Sequence, residues 1–159
     1  RSSVENGSQT LWPRHCVQGS PGAELHPGLA HAGINYVVEK GTERDIDSYS
    51  GFFDNSHQKE TSLREILVRE AAERGKSACD VSLIVCGLAL DYCVAATARD
   101  AVKLGYAAEI VVDGCRAVNL SPGDDVRTLR ELAQAGVELT TSAELVPGWA
   151  RQRSVELHP

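Results

Sequence analysis

A cysteine at the entry to a helix dominates the chemistry this chain can offer. Cys93 lies in Cys86-Gly87-Leu88-Ala89-Leu90-Asp91-Tyr92-Cys93-Val94, after an apolar run at 81–85 and before an alanine-rich helical pattern at 94–104. A strand, a tight turn and a helix start aim first-turn N–H groups at the sulfur, and these groups with the helix dipole favour negative charge. A thiolate is such a charge, so the position suits a nucleophile. The same N–H groups can hold the oxyanion of a tetrahedral intermediate. Cysteine is also among the most buried residue types, and Cys79, Cys86 and Cys115 are expected to pack as small hydrophobes.

Two further groups bear on that thiol. Lys40, in Val37-Val38-Glu39-Lys40-Gly41, follows a β-branched run at 35–38. A lysine at a strand end is ordinarily a solvated charge, but an ammonium on the same rim as Cys93 would stabilise a thiolate. Trp12-Pro13-Arg14-His15-Cys16-Val17 is the second group. Trp12 offers a flat apolar wall to a ring-shaped ligand, or simply anchors its loop. His15 is a possible metal ligand through its neutral imidazole, yet His26, His31, His57 and His158 lack ligand spacing to it. Tyr49-Ser50-Gly51-Phe52-Phe53 reads equally as a second aromatic wall or as a core plug. No glycine pattern matches a phosphate or dinucleotide loop.

The elements that must position these groups alternate. Residues 1–10 and 11–22 read as loops. Strands are expected at 35–38, 81–85 (buried), 109–112 and 137–140. The first helix should start on a Ser62/Glu65 capping box, present Leu63, Ile66, Leu67 and Ala71 on one face, and stop at Gly75. The helix after Cys93 should end at Gly105. A third should be capped by Ser121 with Pro122 at its first position, carry Val126, Leu129 and Ala133 as its apolar stripe, and end at Gly136. This alternation predicts an α/β fold, a mostly parallel sheet with helices on both faces, whose sites gather at the carboxyl ends of strands. One domain is expected over 1–145, with 146–159 as a tail able to dock on a neighbour, so a homo-oligomer stays open.

Bulk properties narrow the partners. The 159 residues suit one core, and the formal net charge of −6 argues against nucleic acid or an anionic membrane. No apolar run approaches the roughly 20 residues of a membrane span, and no signal peptide is visible at Arg1. Five cysteines without framework spacing point to a reducing, cytoplasmic setting. With no CxxC pair, a structural zinc site is not indicated.

Taken in order, Leu11-Trp12-Pro13-Arg14-His15-Cys16-Val17, Pro21-Gly22-Ala23, Glu39-Lys40-Gly41, Asp47-Ser48-Tyr49-Ser50-Gly51-Phe52 and Gly87 to Val94 resemble the nicotinamidase/pyrazinamidase branch of the isochorismatase-like cysteine hydrolases. The resemblance runs from Leu11 to about Thr141, and the run from Ala89 to Ala98 is most similar to the eukaryotic form. It implies that Cys93 attacks the nicotinamide carboxamide, expels ammonia and leaves a thioester that water opens to nicotinate, as in NAD salvage. Lys40 would be the cationic member of the triad. The N–H groups of Ala89 and Cys93 would form the oxyanion hole, beside a cis Leu88–Ala89 peptide. Trp12 and Tyr49 would wall the pyridine ring. His15 would be one ligand of a divalent metal, zinc foremost, with iron or manganese as alternatives.

The chain departs from the family at its amino-terminal end. The family's catalytic aspartate, in an Asp-x-Gln-x-Asp-Phe type motif, and the ligands of its Asp-x-His segment do not occur here. Asp45 and Asp47 lie in the loop after Lys40, and Asp91 belongs to the nucleophile turn, so none substitutes. The strand carrying that motif sits mid-sheet, and without it central backbone groups lose partners and a core face opens. An upstream segment is therefore expected. The alternatives are another small-amide hydrolase of the same family and a non-catalytic half-site; a thiol oxidoreductase lacks a resolving cysteine.

Overall fold

The computed structural model describes residues 12–29 and 33–145. Within them lie α1 (Leu63–Glu73), β1 (Ser82–Leu88), α2 (Ala95–Lys103), β2 (Ala107–Arg116), α3 (Asp124–Gln134) and β3 (Glu138–Thr140). The strands form a parallel sheet in the order β1-β2-β3. Successive parallel strands need helical crossovers, and α2 and α3 supply them while packing on each other and on the sheet. This is the α/β alternation expected from the sequence. The tail at 146–159 and the loop at 1–10 lie outside the described residues.

The core is built where α2 meets the sheet. Small Ala95, Ala98 and Ala101 let that helix approach closely, and Phe52, Ile110 and Leu132 are fully buried around them. Phe52 stacks on Tyr106 at 5.9 Å between ring centroids. The segment at 49–53 thus divides its labour: Phe52 plugs the core while Tyr49 faces elsewhere.

Several expected elements come out differently. Residues 35–38 form no strand; they lie beside α1, with the Tyr36 ring under the Arg69 guanidinium at 5.4 Å and its hydroxyl donating to Glu70. Side-chain partners on a helix replace a strand ladder there. The strand expected as buried at 81–85 is β1, one face of which is exposed, with Ile84 43% and Leu88 73% accessible. Its alternating accessibility follows from cover on the α2 face, where Leu83 and Val85 pack. Among the described residues β1 pairs on one side only, with β2.

Helix starts also differ. Ser62 makes no capping hydrogen bond; Thr61 Oγ1 instead accepts the Leu63 N–H at 3.1 Å. The capping box forms at Ser77 and Asp80, ahead of β1. Helix α3 begins after Gly123, whose φ of 84° suits glycine, while the Asp124 carboxylate accepts the Ser121 N–H at 2.9 Å. Ser121 and Pro122 thus lie in the preceding turn. The buried face of α3 is Asp124, Thr128 and Leu132; Val126 and Ala133 of the expected stripe are exposed, and Leu129 is half-buried.

Candidate active site

The strand β1 ends at Leu88, and the Leu88–Ala89 peptide is cis. The chain then makes a π-helical turn, Leu90–Val94, before α2. Such wide turns are rare and concentrate at functional sites. The Ala89 carbonyl anchors this one, accepting the Tyr92 N–H at 3.1 Å and the Val94 N–H at 3.0 Å. Leu90 and Val94 point into the core, which leaves Cys93 half-buried at the rim.

Lys40 reaches that thiol from the segment that follows residues 35–38. Its Nζ lies 3.4 Å from Cys93 Sγ and donates to the Ser48 carbonyl at 2.7 Å. The carbonyl fixes the ammonium, and the ammonium stabilises negative charge on sulfur. Ser48 is buried, its hydroxyl donating to the Phe53 carbonyl at 3.1 Å. Thr97 joins this loop to the nucleophile helix: Gly51 N–H donates to Thr97 Oγ1 at 2.8 Å, and Thr97 Oγ1 donates to the Cys93 carbonyl at 2.7 Å. A Cβ at Gly51 would come within 3.3 Å of Thr97 and 3.4 Å of Leu63, so glycine permits the approach.

An aromatic cluster stands beside the thiol. Trp12 Nε1 donates to the Tyr49 hydroxyl at 3.1 Å. Tyr92, next to Cys93 in sequence, meets both rings edge-on, at 4.8 Å from Trp12 and 5.4 Å from Tyr49. Burial pushes the Tyr92 hydroxyl above its ordinary range, with the Asp91 charge adding to the effect. Trp12 and Tyr49, expected as walls, are thus brought together, and Tyr92 is the member that sequence reasoning missed. Its adjacency to the nucleophile was the available signal.

The remaining cysteines separate by environment. Cys115 is buried, and burial pushes its thiol up. Cys79 and Cys86 are exposed rather than packed in the core as expected, because Cys86 lies on the open face of β1 and Cys79 in a surface turn.

His15 is exposed on its loop, its Nδ1 2.6 Å from the Pro13 carbonyl. A backbone carbonyl on one ring nitrogen is the usual way to orient a histidine whose other nitrogen is a ligand. Among the described residues, however, no three His, Cys, Asp or Glu side chains converge as a metal would require. The donor set present does not fit a metal ion by itself.

The isochorismatase domain profile matches residues 3–144. The chain belongs to the isochorismatase family. Among curated members of the isochorismatase family and its relatives, the nicotinamidase of Escherichia coli (strain K12) is 45% identical over 136 residues, which cover 86% of this chain and 60% of that protein. Two solved structures are also similar. PnC1 from L. infantum in complex with nicotinate has a TM-score of 0.71 and 39% identity, covering 84% of this chain and 62% of that one. The pyrazinamidase of Pyrococcus horikoshii in complex with zinc has a TM-score of 0.61 and 32% identity, covering 82% and 63%. The chain spans about three-fifths of the length of the curated relatives it matches.

Proposed function

We propose that this protein hydrolyses nicotinamide to nicotinate and ammonia through a cysteine thioester, as a step of NAD salvage. The observation that carries the reading is the Lys40 ammonium 3.4 Å from Cys93 Sγ, beside the Trp12–Tyr49–Tyr92 cluster. The similarity to the E. coli nicotinamidase supports the choice of substrate, as does the nicotinate bound by the L. infantum relative.

The chemistry follows from the residues present. Cys93 thiolate adds to the carboxamide carbon, and the oxyanion that forms faces the N–H groups of Ala89 and Cys93. The C–N bond breaks and ammonia leaves with the proton that the Cys93 thiol shed on becoming the thiolate. Water then adds to the thioester and the C–S bond breaks; one of the water's protons returns to the sulfur, the other passes to solvent, and nicotinate leaves. Lys40 faces the negative charge on sulfur before attack and again as the C–S bond breaks. Trp12 and Tyr49 present apolar ring surface to a flat heteroaromatic ring.

The family's proton acceptor is an aspartate that this sequence does not match. Asp91 does not replace it, because both its carboxylate oxygens accept backbone N–H groups, of Val118 at 2.9 Å and Asn119 at 2.8 Å. A half-site that carries the nucleophile without a base is the second reading, and among the described residues Asp91 does not fill that place. A zinc ion at His15 belongs to the first reading, prompted by the zinc of the Pyrococcus relative. His15 would supply one of its ligands. A reducing, cytoplasmic setting is part of the same proposal, since a nucleophilic thiol must stay reduced.

The test is release of ammonia and nicotinate from nicotinamide by the intact protein, wild type beside Cys93→Ala. Turnover in the wild type that vanishes in the variant is expected. Turnover that survives Cys93→Ala removes the nucleophile, and a wild type that is folded but inert supports the half-site.

A further inference from the structure

Asp91 sits two residues before the nucleophile, and its carboxylate crosses to the loop after β2. It accepts two consecutive backbone N–H groups, Val118 at 2.9 Å and Asn119 at 2.8 Å. Asn119 is itself held in the left-handed region, with φ of 54°. Its side-chain Oδ1 accepts the Asp125 N–H at 2.8 Å, in the first turn of α3. The π-helical turn is therefore fastened at two points: Ala89 from within, and Asp91 from the 118–119 loop and, through it, the start of α3.

A wide turn before a helix has an obvious cheaper alternative, which is to rewind into α-helical register. Rewinding would rotate Cys93 away from Lys40, because side-chain direction in a helix follows backbone register. The paired hydrogen bonds of Asp91 oppose that rotation, and bonds to a charged acceptor are the strong kind. They also direct the carboxylate to donors of another loop. We infer that Asp91 is a positioning residue of the active site, acting through the 118–119 loop to hold Cys93 Sγ against Lys40 and toward the bound amide. The inference rests on reading Cys93 as the nucleophile.

Asp91→Ala and Asp91→Asn in the intact protein test it, with nicotinamide as substrate and folded molecules counted by near-UV circular dichroism. Loss of geometry at a reacting atom costs on the order of 100-fold. Asp91→Ala should therefore lower kcat by about that factor per folded molecule while KM stays close to wild type, and its Val118 and Asn119 amides should exchange faster with solvent. Asp91→Asn, which keeps one carbonyl acceptor, should recover part of the rate. A wild-type kcat in Asp91→Ala overturns the role, as does a loss that merely tracks the folded fraction. Cys93→Ala in the same assay separates the readings. Turnover surviving it removes the nucleophile itself, whereas turnover lost there but kept in Asp91→Ala removes only the role of Asp91.

Discussion

An ammonium 3.4 Å from a sulfur presents positive charge to it, and the Ser48 carbonyl holds Lys40 in that place. Lys40→Ala should slow iodoacetamide alkylation of Cys93 at neutral pH on the order of tenfold, the scale of one nearby opposite charge. Peptide mass mapping distinguishes Cys93 from the exposed Cys16, Cys79 and Cys86. Cys115, raised by burial, should stay unmodified in the folded protein and gives an internal control. An alkylation rate unchanged by the substitution would detach Lys40 from the thiol.

At the scale of elements, a short hairpin decides where Ser48 and Tyr49 stand. Phe53 and Glu60 form an antiparallel bridge, and the buried Asp54 carboxylate closes the loop between them, accepting N–H groups from Ser56, Gln58 and Lys59 at 2.9 to 3.1 Å. Asn55 Oδ1 in turn accepts the Tyr49 N–H at 2.9 Å. Asp54→Ala leaves these donors without their acceptor and should cost about 1–3 kcal/mol in urea unfolding at neutral pH. The pH dependence follows from opposing causes: burial pushes the Asp54 carboxyl up, but hydrogen bonds from Ser56, Gln58 and Lys59 outweigh it and hold it below the ordinary range. Its stabilisation is present above the ordinary carboxyl value of about 4 and is lost as pH falls through the lower folded value. The gap in urea midpoint between wild type and Asp54→Asn should therefore narrow below pH of about 4; a constant gap would mean the charge contributes nothing.

At the scale of the whole molecule, the core of the described residues has few large side chains that are fully buried. Alanines line α2, and Phe52, Ile110 and Leu132 are the largest side chains fully buried in the core around them. Leu132→Ala should cost about 2–5 kcal/mol, the usual range for a large-to-small change in a packed core. A loss of stability well short of that would mean α3 packs more loosely than the zero accessibility of Leu132 implies. The open face of β1, with Ile84 and Leu88 exposed, contributes little to this core among the described residues.

The sequence by itself determined the alternating α/β order, the parallel strands at 109–112 and 137–140, and the entry of Cys93 into a helix. Those features are local: apolar period, glycine stops and a cysteine after a strand are written in consecutive residues. It also marked Lys40, Trp12 and Tyr49, through motifs whose spacing resembles a family. Tertiary structure alone decided what these residues touch. Residues 35–38 look like a strand because β-branched side chains favour one, yet Tyr36 finds Arg69 and Glu70 on α1. The α3 stripe shifted because Thr128 and Leu132, not Val126, meet the core, a choice made by where the helix lies on its neighbours. Tyr92 and Asp91 acquired their partners from loops 27 to 80 positions away, and contacts at such separations leave no periodic trace in a single chain.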